Sequence, residues 1–218
     1  MKTLLNFLLL ISLSITSFSN NTHNPINNEV DLYTKKMNEA MLLWKQNKVN
    51  EAAGLFERIA AKEKENWLPY YYACLVYVTN SFDNPNKKQV TINLKKAQDH
   101  LNEAEIFTDN TVEITVAKAF LMMAEMMIDP QNRAHTMAPK IEKLYMEAIA
   151  LNPKNPRAVA GLADWKYGGA KWMNQDTTPY CQAFEKALLL FDNDTPTEPF
   201  GPTWGKDRVQ RMIALCNK

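Results

Sequence analysis

The sequence is short of glycine and cysteine, and neither sign of charge dominates it. It has 6 glycines and 3 cysteines in 218 residues, and 25 basic against 24 acidic side chains give a net charge of +1. That balance does not provide the concentrated positive field that nucleic-acid binding requires. Scarce glycine, together with abundant Ala, Leu, Met, Lys and Glu, favours helices. The sequence therefore predicts an all-α protein that does not bind nucleic acid.

Long apolar runs are also missing, apart from one at the start of the chain. Lys2 precedes the apolar run Leu4–Ile15, and Ser17-Phe18-Ser19 has the small-x-small pattern of a cleavage site. This arrangement is typical of a secretory signal peptide, cut near Ser19–Asn20, with an uncleaved anchor as the alternative. The sequence thus predicts export, periplasmic or secreted, with no integral membrane span after cleavage.

An odd number of cysteines leaves at least one without a disulfide partner. Cys74 sits in the apolar run Tyr70–Val78 and is expected to be a small buried hydrophobe. Cys181 and Cys216 fall on the last two predicted helices, where a disulfide would suit an oxidising compartment. Two separate packing cysteines are the favoured alternative at this point.

The stretch Leu144–Trp165 contains two amphipathic helical patterns separated by a proline-marked corner. Pro153 cannot continue the first helix, and Pro156 suits the first turn of the second. Earlier, Ala52, Phe56 and Ile59 repeat a small–aromatic–apolar pattern at helical spacing. Helix, short corner and helix with these residues resemble tetratricopeptide (TPR) repeats. The resemblance implies antiparallel helix pairs, stacked as a short solenoid with a C-terminal capping helix.

Repeat spacing divides the chain further. We predict a signal peptide at 1–19, a flexible leader at 20–29 and a repeat domain at 30–218, with repeats at about 30–66, 67–111, 112–155 and 156–192 and a cap at 203–217. The repeats exceed the usual length, which predicts insertions at Ser81–Lys88 and Asp129–Thr136. Gly168-Gly169 is expected to break a helix, and Trp204 is expected to anchor the crossing at 192–202 into the last repeat.

Motifs that carry chemistry are missing from the sequence. His23, His100 and His135 have no other ligand at metal spacing, and His100 with Glu103 fits a solvated pair on a helix face. There is no nucleophile elbow, phosphate-binding glycine loop or CxxC. The sequence predicts neither an enzyme nor a bound metal or cofactor.

The TPR resemblance implies a concave groove lined by the first helix of each repeat. The positions carried over to it are mostly apolar or aromatic: Met37, Met41, Trp44, Tyr71, Leu75, Val78, Val116, Phe120, Met123, Asp164 and Tyr167. Such a groove suits an amphipathic helix or an extended apolar peptide, so the expected partner is a protein or peptide. The alternative at this surface is a groove filled by the insertions or by the ends of the chain.

Three functions follow from these alternatives. The first is a non-catalytic exported scaffold that binds a protein or peptide through its groove. The second is a structural subunit of a cell-envelope assembly, with the groove filled. The third is a small-molecule or glycan-binding protein that uses Trp165 and Trp172, with Tyr167, beside Gly168-Gly169. The sequence does not indicate an oligomeric state.

Overall fold

The computed structural model describes the backbone of residues 25–216 and the side chains of residues 32–216. This part of the chain folds into nine helices and contains no strand. The helices are α1 Pro25–Lys45, α2 Val49–Lys62, α3 Trp67–Asp83, α4 Lys87–Ile106, α5 Thr111–Met127, α6 Pro130–Leu151, α7 Pro156–Trp172, α8 Thr178–Asp192 and α9 Lys206–Cys216. The all-α class predicted from the sequence is confirmed. The predicted signal peptide lies outside the described residues.

Polar side chains at helix starts explain where the helices begin. In each of α3 to α7 an Asn or Asp side chain accepts a backbone N–H of the first turn, which satisfies a donor that has no partner inside the helix. These caps are Asn66, Asn86, Asn110, Asp129 and Asn155. A proline also occupies the first turn of α6, α7 and α8. The asparagines scattered through the chain thus mark helix boundaries.

Neighbouring helices pack in chain order, and α5 also contacts α3 and α7. Contacts between alternate helices of this kind stack one helix pair on the next, as in an α-solenoid. Gly161 of α7 lies directly against the ring of Tyr145 in α6, so a Cβ atom there would clash with the ring. Small residues at these crossings allow the close approach that the repeat pattern predicts.

The extra residues of the long repeats do not form inserted loops. Between α3 and α4 only residues 84–86 are outside a helix, and between α5 and α6 only residues 128–129. The expectation of a turn-rich insertion at Ser81–Lys88 is therefore wrong, and the excess assigned to Asp129–Thr136 is helical from residue 130 onward. Asn86 and Asp129 cap the next helix, so the polar residues around them lengthen helices instead of forming loops.

Two further boundaries differ from expectation. Helix α7 continues through Gly168-Gly169 to Trp172, so the glycine pair does not break it. A glycine pair weakens a helix but is tolerated near its end when the preceding turns are packed. Helix α1 begins at Pro25, within the segment 20–29 that the sequence assigns to a leader.

The C-terminal helix α9 packs against α8 with Val209 and Met212 buried, on the apolar face that the sequence predicts for it. Cys181 of α8 and Cys216 of α9 form a disulfide, with their Cα atoms 5.9 Å apart. The expectation of two separate packing cysteines is thus wrong, because the docking of α9 brings the two side chains together. Cys74 is a buried free cysteine, as predicted.

Within residues 25–216, no helix combines the length and the apolar character that crossing a bilayer requires.

Candidate functional site

The segment between α8 and α9, residues 193–205, folds back over the first helices of the earlier repeats; we call it the crossing segment. The Tyr72 hydroxyl of α3 donates to the carbonyl oxygen of Phe200 at 2.8 Å. The Phe200 ring packs edge-on against Tyr33 of α1, with ring centroids 5.7 Å apart. The crossing segment therefore occupies the groove side of α1 and α3.

Two tryptophan side chains fix the crossing segment in place. The indole N–H of Trp67 donates to the Glu198 carboxylate at 3.1 Å. The indole N–H of Trp204 donates to the Tyr71 hydroxyl at 2.9 Å, and its ring stacks on Phe120 with centroids 5.8 Å apart. Trp204 thus contacts α3 and α5, so the prediction that it anchors into the last repeat is wrong. The crossing segment extends beyond α7 and α8, so the partners of the Trp204 indole lie in the second and third repeats.

A buried carboxylate joins three helices beneath the crossing segment. Glu113 of α5 is 2% exposed and accepts from the Tyr71 hydroxyl at 2.9 Å, the Asn155 amide at 2.6 Å and the Arg157 Nε at 2.7 Å. Arg157 also donates to Asp194 of the crossing segment at 2.7 Å. Since a buried charge is costly unless it is paired and hydrogen-bonded, this set of partners is what makes Glu113 tolerable there.

The same network shifts the pKa values of Tyr71 and Arg157. Burial raises the pKa of the Tyr71 hydroxyl well above its ordinary value, and the nearby Glu113 carboxylate raises it further. Burial alone would lower the pKa of the Arg157 guanidinium, but the Glu113 charge, Tyr71 and the hydrogen bonds to Asp194 and Glu113 together outweigh burial and raise it. Tyr71 is therefore neutral and Arg157 charged at physiological pH. The network acts as a structural clamp, since its groups are fully engaged with one another.

The groove positions predicted from the sequence separate into two groups. Five are buried: Met37, Tyr71, Leu75, Val78 and Val116. Six are partly exposed: Met41, Trp44, Phe120, Met123, Asp164 and Tyr167. Buried side chains fill the interior between helices and do not contact a partner without a local opening. The partly exposed set contains the candidates for direct contact, and whether they bind anything stays a prediction.

Three aromatic rings form a row on this side of the molecule, which we call the aromatic strip. Phe82 stacks on Phe120 with centroids 5.4 Å apart, and Phe120 stacks on Trp204 at 5.8 Å. Phe82 is 40% exposed, and the other two rings are half-buried. Sequence reasoning found Phe120 but not the rest of the strip. Phe82 lay in an expected insertion, and Trp204 is far away along the chain.

The aromatic strip lies at the C-terminal end of the crossing segment, since Trp204 belongs to both. Trp44, near the end of α1, donates to Thr79 in the last turns of α3 at 3.3 Å, while the early Tyr33 meets Phe200. The first helices therefore run parallel, with their starts under the crossing segment and their later turns beyond it. One half of the groove is closed by the chain itself, and the other half carries the strip.

The aromatic residues predicted for a small-molecule or glycan site, Trp165, Tyr167 and Trp172, lie on α7 and not in the aromatic strip. Trp172 is 75% exposed at the end of α7, whereas Trp165 packs partly buried against the core between α5 and α6. Tyr167 contacts Phe184 edge-on, with centroids 5.9 Å apart. Two of these three aromatics are thus engaged in packing, and Trp172 alone projects from the surface.

Within the described residues no group of three or more His, Cys, Asp or Glu side chains is arranged to hold a metal ion. His100 lies 3.2 Å from the Glu57 carboxylate of α2 and stacks parallel to the Tyr77 ring. The expected solvated pair of His100 with Glu103 is replaced by this contact between helices. It joins α2, α3 and α4.

The fold and the groove define the class: an all-α helical-repeat scaffold with its groove partly closed by its own chain. The chain is similar in structure to the HusA haemophore from Porphyromonas gingivalis, with a TM-score of 0.73 and 21% identity over 86% of this chain and 92% of that one. It is also similar to a thermophilic TPR protein of Thermus thermophilus, with a TM-score of 0.51 and 15% identity over 82% of this chain and 77% of that one. At these identities the likeness shows the fold alone. No protein-family model and no curated protein matches the sequence.

Proposed function

We propose that this protein is an exported, non-catalytic carrier that binds a flat, largely apolar molecule of the porphyrin class on the aromatic strip. The observation that carries the proposal is the strip itself. Phe82, Phe120 and Trp204 are stacked in a row, and the outermost ring is 40% exposed. A conjugated macrocycle continues such a row by offset stacking and buries apolar area on both partners.

Closure of half the groove favours a compact ligand over a long one. An amphipathic helix laid along the whole groove would have to displace Phe200 and Trp204, which are held by hydrogen bonds of 2.8 and 2.9 Å. A ligand confined to the strip displaces nothing. Lys87 and Lys88 follow Phe82 across a short loop and are exposed, so they can pair with carboxylates at the edge of a porphyrin.

The structural likeness supports the same proposal. The HusA haemophore is similar in structure over 86% of this chain, and a haemophore is a haem carrier. The Cys181–Cys216 disulfide is the kind of bond that persists in oxidising compartments, which supports export to the periplasm or beyond. Porphyrin is cargo in this proposal, so the protein provides a surface and no catalytic group.

Titration with haemin and with metal-free protoporphyrin, followed by absorbance and by quenching of tryptophan fluorescence, tests the proposal. We expect both to bind, because the strip offers rings and not a ligating atom. Phe82→Ala should weaken binding by about tenfold through the lost stacking and apolar contact. Trp172→Ala is the matched control, since it removes an exposed aromatic outside the strip, and it should bind as the wild type does. Binding that survives Phe82→Ala and fails in Trp172→Ala would contradict the strip and favour the Trp165/Trp172 alternative.

A protein or peptide partner is the second candidate, and exposed methionines favour it. Met127 is 49% exposed and Met123 partly exposed on the helix that carries Phe120. Methionine side chains adapt to varied apolar partners. If the partner is a protein or peptide, we expect no change in absorbance or tryptophan fluorescence on titration with porphyrin beyond that of free porphyrin. The structural-subunit alternative needs a filled groove, and the crossing segment fills only the half over α1 and α3.

A further inference from the structure

A cavity that shares no lining residue with the aromatic strip lies at the corner between α1 and α2. It has a volume of about 550 Å³ and is bounded by that corner, the end of α3 and the start of α4. Six carboxamide side chains line it: Asn47, Asn50, Asn80, Asn84, Gln89 and Asn93. We call it the carboxamide pocket. Its volume falls within the range of small-ligand sites.

Asn93 gives the carboxamide pocket a buried polar wall. The side chain is 6% exposed, and its Oδ1 accepts from the Gln89 amide at 2.9 Å. Its amide nitrogen has no hydrogen-bond partner among the described residues, although the residue is nine-tenths buried. Because this nitrogen is not enclosed by protein atoms, it faces the solvent of the pocket and can donate to a ligand acceptor there.

The start of α2 supplies further donors to the same space. Lys48 precedes the helix without a side-chain cap, so the first-turn N–H groups of Val49, Asn50 and Glu51 have no partner among the described residues. Asn47 adopts a left-handed conformation with φ 59°, which turns the chain sharply enough to open the corner. Backbone donors and carboxamides therefore face one cavity from two directions.

The balance of charge and polarity selects the class of ligand. Lys48 and Glu51 offset each other at the rim, so the lining has no net charge. Val49 is the single apolar residue of the lining, and the lining includes no aromatic. Asn84 donates to Asn80 and Gln89 donates to Asn93, which holds these side chains in place. Each carboxamide has two N–H donors and two acceptor lone pairs, and those left over suit neighbouring hydroxyl groups that can both donate and accept. An apolar side chain of a bound peptide would find no matching subsite.

From this geometry we infer that the carboxamide pocket binds a short neutral oligosaccharide. The site is separate from the aromatic strip, so the inference does not depend on porphyrin binding. Without an aromatic platform the affinity is set by hydrogen bonds alone, and each is worth little net of the water it replaces. Binding is therefore expected in the millimolar range, about 4 kcal/mol.

The side-chain NH₂ resonances of ¹⁵N-labelled protein report on this site directly. The probes are maltotriose, lactose, mannobiose and N,N′-diacetylchitobiose, titrated one at a time. At least one should shift the amide resonances of Asn93 and Gln89. Asn93→Ala should weaken that binding by about tenfold, and Asn50→Ala, which changes an exposed side chain, by several-fold.

Asn102→Ala is the matched control, because it removes an exposed asparagine of the same helix outside the pocket. Its binding should equal that of the wild type, and all variants should first show wild-type circular dichroism and melting. No shift with any of the four saccharides would overturn the inference. An equal loss of saccharide binding in Asn102→Ala and Asn93→Ala would also overturn it. A third contrary result is a tetra-alanine peptide that shifts the Asn93 and Gln89 resonances when the saccharides do not.

Discussion

A few buried side chains hydrogen-bond the repeats to the C-terminal part of the chain. Glu113 holds Tyr71, Asn155 and Arg157 at hydrogen-bond distance, and Arg157 extends the network to Asp194. These residues come from α3, α5, the start of α7 and the crossing segment. A buried ion pair adds little net stability against an apolar replacement, but loss of one partner leaves a buried charge. The network therefore specifies how the elements meet.

Glu113→Gln should destabilise the protein by about 3 kcal/mol, because Arg157 then keeps its buried charge with one carboxylate instead of two. Urea unfolding followed by circular dichroism measures the change. Trp204→Phe is the milder comparison: it keeps a ring on Phe120 and removes one hydrogen bond, at a cost of about 1 kcal/mol. Equal, small effects from both substitutions would show that the network does not hold the crossing segment.

The shifted pKa of Glu57 in α2 should make the free energy of unfolding depend on pH. Burial alone would raise the pKa of Glu57, but the hydrogen bonds from Tyr77 and His100, together with the charges of Lys96 and His100, outweigh burial and lower it. A carboxyl with a lowered folded-state pKa contributes stability above its unfolded pKa, and the contribution disappears as the pH falls through the folded value. Glu57→Gln should therefore be less stable than wild type near neutral pH, and the difference should shrink toward about pH 3. Denaturant melts at both pH values measure this, and a constant difference would contradict it.

At the scale of elements, the helix pairs follow from features that are local in the sequence. Apolar spacing, alanines at crossings and Pro156 at a helix start predicted antiparallel pairs and the α9 cap. The same reasoning misplaced loops, because it took Asn86 and Asp129 as turn formers where each caps a helix. Asparagine has both uses, and neighbouring packing decides between them. The disulfide needed the docking of α9 on α8, which local patterns do not contain.

Two glycines of α7 give opposite predictions for the same substitution. Gly161→Ala places a methyl group against the Tyr145 ring and should destabilise the protein by about 2 kcal/mol. Gly168→Ala meets no atom within 4 Å and should stabilise the helix by about 0.5–1 kcal/mol. Thermal melts of both variants check the pair. A stabilising Gly161→Ala would mean that α6 and α7 are not closely packed there.

At the scale of the whole molecule, the crossing segment determines which part of the groove is open. Its hydrogen bonds to α3 join residues 128 to 133 positions apart in the sequence. No periodic pattern marks such contacts, so sequence reasoning predicted the groove positions but not which of them the chain covers. The aromatic strip exists only because Trp204 returns to Phe120. Sequence-based prediction thus located the scaffold and, of the three rings of the aromatic strip, only Phe120.

The disulfide closes the C-terminal end of the solenoid. It links residues 35 positions apart, and its loss should cost up to about 4 kcal/mol through the chain entropy of the unfolded state. Cys181→Ser/Cys216→Ser should melt at a lower temperature than wild type. Thiol counting gives an independent check: no reactive thiol in the native protein, one after unfolding and three after unfolding with reductant. Three thiols without reductant would rule out the bond.

A flat apolar ligand on the aromatic strip would lie close to the Trp204 indole, so the indole N–H resonances of the tryptophans report on the proposed site. A porphyrin ring current shifts nearby protons strongly and distant ones hardly at all. On addition of metal-free protoporphyrin, we expect a large shift for the indole N–H of Trp204, which belongs to the strip, and no shift for Trp172 at the end of α7. A shift at Trp172 or Trp165 with none at Trp204 would rule out binding on the strip and place the ligand at α7.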